Sequence, residues 1–135
     1  MDNREVLSIC ASHHLGFLPT FIDTYGYSVL EMQAAGCPVI TTAGRALPEI
    51  NNNDCGWLID CSEIRSYQYH LLLTNKKYGF LQRIENSMEN IITDIFSNKS
   101  VLAKKSSAAM QRIAKNHNPE VYAEKLQSIY ECALG

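Results

Sequence analysis

Apolar residues come in short solid runs over the first sixty positions and at helical intervals after them. Leu15-Gly16-Phe17-Leu18-Pro19, Cys37-Pro38-Val39-Ile40-Thr41-Thr42 and Trp57-Leu58-Ile59 are continuous runs of the kind found in strands of buried parallel sheets. Between the first two lies an amphipathic helix that starts just after Gly26 and is closed by Gly36 in the C′ role. Strand, loop, helix, strand is the order of a βαβ unit. Asp2 or Asn3 caps an earlier helix to about His13, with Val6, Ile9 and Cys10 inward. Ala46 to Ile50 reads as a single helical turn, and Asn51-Asn52-Asn53-Asp54 as a polar turn. From Ser62 the period changes to 3.6, with Ile64, Tyr67 and Leu71 on one face, then Leu81, Ile84, Met88, Ile91, Ile92 and Ile95 on another. Asn118-Pro119-Glu120 opens a last helix, cap residue before proline, with Tyr122, Leu126, Ile129, Tyr130 and Ala133 on one side. The expected class is α/β in one domain, residues 1–135: a βαβ core over 1–62 with about three short parallel strands, and a helical part over 63–135.

Composition sharpens this only in places. With 135 residues, 46% apolar and 19% charged, the chain is globular and long enough for a real core. No run approaches the roughly 20 apolar residues of a membrane span, and the N-terminus lacks a signal-peptide pattern. Cys10, Cys37, Cys55, Cys61 and Cys132 are odd in number and scattered, so all five are read as reduced, in a cytoplasmic chain. His13, His14, His70 and His117 form no metal-ligand pattern. Charge is uneven: residues 1–64 carry two Lys/Arg against eight Asp/Glu, and residues 65–135 carry ten against six. Lys99, Lys104, Lys105, Arg112 and Lys115 follow one another without an acid. They read as the solvated face of a helix whose apolar stripe is Leu102, Ala109, Met110 and Ile113. The alternative is peripheral attraction to anionic lipid. Nucleic acid is not an expected partner.

Candidate chemistry gathers in Asp23-Thr24-Tyr25-Gly26-Tyr27-Ser28-Val29-Leu30-Glu31. In parallel sheets ligands sit outside the carboxyl ends of the strands, where this loop lies. Gly26 permits a conformation closed to other residues and a close approach of ligand to main chain. The amides of Tyr27, Ser28 and Val29 are then unpaired donors at a positive helix end, suited to a phosphate. Glu31, three residues after Ser28, shares its face and can accept two hydrogen bonds from a vicinal diol. Asp23 could do the same for sugar hydroxyls. A structural reading stands beside this one: Ser28-Val29-Leu30-Glu31 also fits the capping box, and Asp23 or Thr24 an ordinary cap or turn former.

The wider string, residues 15–59, resembles the retaining glycosyltransferases of the GT-B fold, most closely glycosyltransferase family 4. Pro19 through Glu31 matches the family's E-x7-E block. Ala35-Gly36-Cys37-Pro38-Val39-Ile40-Thr41-Thr42, Pro48-Glu49-Ile50 and Gly56-Trp57-Leu58-Ile59 follow in the family's order. The resemblance implies a Rossmann-like fold and transfer of a sugar, with retention, from a nucleoside diphosphate donor to a hydroxyl, without a bound metal or other cofactor. It implies that Glu31 holds the ribose. Asp23, with Tyr25 and Gly26, would meet the donor sugar, and the amides of Tyr27, Ser28 and Val29 the diphosphate. Asp23 departs from the usual glutamate and is shorter by one methylene. The resemblance also implies an N-terminal acceptor domain as partner and an upstream basic pair, and neither is expected in this chain. The last helix would then leave an apolar face uncovered, favouring self-association. The rival readings are a nucleotide-sugar epimerase of the same fold, and a non-catalytic remnant that binds a nucleotide or a protein.

Overall fold

A computed structural model describes residues 2–21, 23–61 and 77–134. The chain is α/β. Among the described residues the elements are α1 (Asn3–Ser12), β1 (Gly16–Leu18), α2 (Tyr27–Ala34), β2 (Val39–Thr42), α3 (Leu47–Ile50), β3 (Trp57–Ile59), α4 (Lys77–Ser97), α5 (Ser100–Asn116) and α6 (Pro119–Leu134). The three strands form one parallel sheet in the order β1-β2-β3. Gly16 is in register with Val39, and Ile40 with Trp57. The expected face of Ile64, Tyr67 and Leu71 lies outside the described residues.

β2 is buried along its whole length, so its alternating side chains serve two cores. Ile40 joins Ile59, Cys61 and Ile84, with Leu15, Phe21, Trp57, Met88 and Ile91 packed around them. Val39 joins Val29, Leu47 and Ile50, with Leu18, Tyr25, Leu30 and Met32 around them. The sheet is therefore covered by α4 on one side and by α2 and α3 on the other. The α4 periodicity is confirmed: Ile84 and Ile95 are buried. β1 is less enclosed than its sequence suggested, since it is an edge strand and Phe17 is 44% exposed. In α1 the expected inward set changes. Val6, Leu7 and Cys10 are half-buried while Ile9 is exposed, because no element among the described residues covers that side of the helix.

α2 ends as its glycine requires. Gly36 adopts φ 77°, its amide donates to Gln33 O (3.1 Å) and the Cys37 amide donates to Met32 O (2.8 Å). These are the two bonds of a Schellman motif. The turn delivers Cys37 and Pro38 straight into β2.

The Asn51–Asp54 segment is the largest departure from expectation. Asn52, Asn53 and Asp54 do form a turn at the surface, but Asn51 is fully buried. Its Nδ2 donates to Val39 O (3.1 Å), Thr41 Oγ1 (2.9 Å) and Trp57 O (3.1 Å). Gln33 Nε2, equally buried, donates to Asn51 Oδ1 and to Ile50 O, both at 3.1 Å. One side-chain pair thus ties α2, β2, α3 and β3 together. Gln33 Oε1 is left buried without a partner among the described residues. Exchanging the amide's oxygen and nitrogen would set oxygen against two oxygens, so the observed orientation is the better one.

The basic run on α5 is not a uniformly solvated face. Lys105 Nζ donates to Gly56 O (2.9 Å) and to Asn53 O, and lies 4.7 Å from the centre of the Trp57 ring. Burial there lowers its pKa. Arg112 Nη2 donates to Glu49 O (2.6 Å). Two of the five cations therefore fasten α5 to the turns around α3 and β3. Lys99, Lys104 and Lys115 stay exposed.

α6 begins at the expected signal, the Glu120 amide donating to Asn118 Oδ1 (2.9 Å). Every described residue of α6 is exposed, including Tyr122, Leu126, Ile129 and Tyr130. The five cysteines are free thiols. No helix among the described residues is long and apolar enough to cross a membrane.

Candidate functional site

The loop from β1 to α2 leaves the carboxyl edge of the sheet and turns back through Asp23. Its Oδ1 accepts the amides of Tyr25 (3.1 Å) and Gly26 (2.7 Å), so this aspartate closes a tight turn on its own backbone. Oδ2 has no partner among the described residues. Asp23 thus has one structural oxygen and one available one.

Gly26 follows at φ 83°, ψ 43°, left-handed, as the N-cap of α2. A Cβ there would stand 2.7 Å from Ile50 Cδ1 and 2.8 Å from Leu47 Cδ2. Glycine is needed on both counts. The crowding side faces α3, however, so this glycine admits a neighbouring helix rather than a ligand.

Beyond Gly26 the helix end is open. The Val29 amide donates to Gly26 O at 2.9 Å and the Leu30 amide to the same oxygen at 3.4 Å. Val29 is also fully buried. The expected trio of donors is therefore a pair, Tyr27 and Ser28, whose amides find no acceptor among the described residues. No side chain among the described residues caps the helix. Ser28 is the second residue of α2 rather than its cap, so the Ser28–Glu31 capping box does not form. Its geometry requires the serine at the N-cap, a place Gly26 holds. Glu31, half-buried, makes no side-chain hydrogen bond or ion pair among the described residues. A carboxylate and two donors that bond nothing among the described residues thus lie within one turn of each other.

Sequence reasoning assigned Tyr27 only its amide. The residue is 70% exposed and its ring lies 5.2 Å from the Tyr25 ring, tilted by 50°. The two rings form an aromatic wall beside the helix end, of the kind that stacks on sugars and bases. The spacing of two tyrosines around a glycine was the available signal.

The second loop of this rim, from β2 to α3, is joined to the first. Thr42 Oγ1 donates to Thr20 O, and a Cβ on Gly44 would lie 3.3 Å from Phe21 O. Behind the rim, Cys61 is buried and its thiol pKa is raised by burial, as is that of Cys37. Neither thiol is poised as a nucleophile. Among the described residues no three His, Cys, Asp or Glu side chains converge as metal ligands would.

Chemically the rim offers two main-chain donors at a positive helix end, two carboxylates on either side of them, and a tilted pair of aromatic rings. The structure brings together Asp23, Tyr25, Gly26, Tyr27, Ser28 and Glu31 on one loop and helix turn, and withdraws Val29 into the core. Compared with models of known protein families the chain matches none, and no curated protein sequence matches it.

Proposed function

We propose that the chain binds a nucleoside diphosphate sugar at the N-terminus of α2, as the donor-binding part of a retaining glycosyltransferase. The observation that carries this reading is Glu31. A half-buried carboxylate without a capping role, one turn from the Tyr27 and Ser28 amides that have no acceptor among the described residues, suits a ligand with a diol on one side and a phosphate on the other. The amides would take the diphosphate and stabilise its growing charge as the sugar leaves. Glu31 would take the ribose diol, and Asp23 Oδ2 a sugar hydroxyl. Tyr25 and Tyr27 would flank the sugar. The acceptor would come from a facing domain, and the work would be done in the cytoplasm.

A second reading, a non-catalytic nucleotide-binding module, draws support from Asp23. Half of that carboxylate already serves the turn, which weakens its claim on a donor sugar.

Phosphorus NMR titration of a nucleoside diphosphate sugar with the purified chain tests the proposal. The expected result is saturable binding with Kd about 1 mM, some 4 kcal/mol, since the described residues supply one wall of a cleft. Binding of the sugar nucleotide that exceeds binding of the bare diphosphate favours the transferase reading; equal binding favours the module. No saturable binding overturns both.

A further inference from the structure

Two adjoining cavities, of about 380 Å³ and about 470 Å³, open where the end of α1 meets the corner between α4 and α5. Each is in the size range of small-molecule sites. The larger one reaches Ala35 and Gly36, at the other end of α2 from the Tyr27 and Ser28 amides.

The two cavities differ in chemistry. The smaller is walled by Leu15, Ile92, Ile95, Phe96 and Leu102. Ile95 is buried, whereas Phe96 is 73% exposed and stands outside both core clusters. The larger cavity adds the polar side chains of Ser12, His13 and Ser106. His14, Lys99 and Leu102 line both, so the surface passes from apolar to polar at a lysine and a histidine. No Asp or Glu lines either cavity. The Lys99 ammonium has no partner among the described residues, whereas Lys105 and Arg112 on the same helix bond main-chain oxygens. Lys99 is also the N-cap of α5, where the positive end of the helix adds to its charge.

We infer that this corner binds a single-chain anionic amphiphile, a fatty carboxylate, with its tail among Ile92, Phe96 and Leu102 and its head on Lys99 and His14. Removing the tail and the exposed Phe96 from water supplies most of the affinity. The ammonium, with no carboxylate beside it, selects the charge of the head through a charge-assisted hydrogen bond. One lysine matches the single charge of a carboxylate better than the larger charge of a phosphate monoester. The site is separate from the one proposed at the head of α2 and stands or falls without it.

Amide-resolved NMR titrations of the whole chain with octanoate and with octanol separate head from tail, with thermal melting alongside. Octanoate is expected to give saturable shifts at His14, Phe96, Lys99 and Leu102, and to bind about tenfold more tightly than octanol, one charge-assisted contact. Lys99→Gln is expected to bring octanoate down to the affinity of octanol and leave octanol unchanged, while Lys99→Arg keeps the preference. Phe96→Ala is expected to weaken both ligands. Lys99 and Phe96 are exposed, so melting should stay near that of the wild type. Equal binding of octanol and octanoate, or undiminished octanoate binding in Lys99→Gln, overturns the inference. So does a Phe96→Ala variant that binds both ligands as the wild type does. Shifts centred on the exposed face of α6, or none that saturate, overturn it as well.

Discussion

Gln33 and Glu31 sit two residues apart on the same short helix and have opposite lives. Gln33 faces the sheet and is fully buried, and its nitrogen donates to Ile50 O and Asn51 Oδ1. Glu31 faces the rim and has no side-chain partner among the described residues. The buried region spends its polar groups on holding four elements in register, and leaves one oxygen unsatisfied in doing so. The rim leaves donors and acceptors unused at the surface. Polar groups locked into the fold report on stability, whereas polar groups without structural work are the ones a ligand can use. That contrast can be broken by substitution on either side.

The largest effect is expected at Asn51. Asn51→Leu removes the partner of Val39 O, Thr41 Oγ1, Trp57 O and Gln33 Nε2 at once, and a single buried unsatisfied group costs about 1–3 kcal/mol. A loss of 3 kcal/mol or more by urea denaturation is expected, enough to unfold much of a marginal domain. A loss below about 1 kcal/mol would mean the network is not what joins α2 to the sheet.

Gly26→Ala comes next. The left-handed backbone and the contacts with Leu47 and Ile50 together make a cost of about 1–3 kcal/mol. Affinity per folded molecule should fall too, because the helix end moves. Unchanged melting would show that α3 yields easily.

These two positions also show what the sequence could and could not reveal. Gly26 and Gly36 were legible because glycine at a helix boundary has few other uses, and both take positive φ. The strands were legible as solid apolar runs, and Asn118-Pro119 as a helix start. Asn51 was not. Four consecutive polar residues look alike in a sequence, and only the approach of β2 and β3 decides that the first turns inward. Lys105 and Arg112 were misjudged for the same reason, since a cation that bonds a carbonyl fifty or sixty residues away leaves no local trace. At the site, Glu31 and the helix end could be picked out, but Ser28–Glu31 could equally have been a capping box. The left-handed Gly26 decided that by occupying the cap.

Smaller effects belong to the rim. Glu31→Gln should change stability by less than about 0.5 kcal/mol, as for a half-buried position without partners among the described residues. It should weaken nucleoside diphosphate binding by about tenfold or more, the scale of a charged hydrogen bond. The reverse pattern, lower stability with unchanged binding, would return Glu31 to a structural role. Asp23→Asn keeps an oxygen for the Tyr25 and Gly26 amides, so stability should hold while preference among donor sugars narrows. Competition between several sugar nucleotides measures this; identical preferences would mean Asp23 only shapes the turn.

The smallest effect is one of pH. Burial raises the thiol pKa of Cys37 and Cys61 above that of an ordinary cysteine. A raised acid contributes stability that is present below its unfolded pKa and lost as pH climbs through the folded one. Stability should therefore decline above pH 9, and alkylation near pH 8 should modify exposed Cys132 well before either buried thiol. Early labelling of Cys37 would show that the α2–β2 turn opens readily.

The account is tested most directly by amide-resolved NMR of the whole chain titrated with a nucleoside diphosphate. The predicted outcome is a saturable set of shifts centred on Tyr27, Ser28 and Glu31, with Gln33 and Asn51 unmoved. Shifts centred elsewhere, or none at the head of α2, would contradict it.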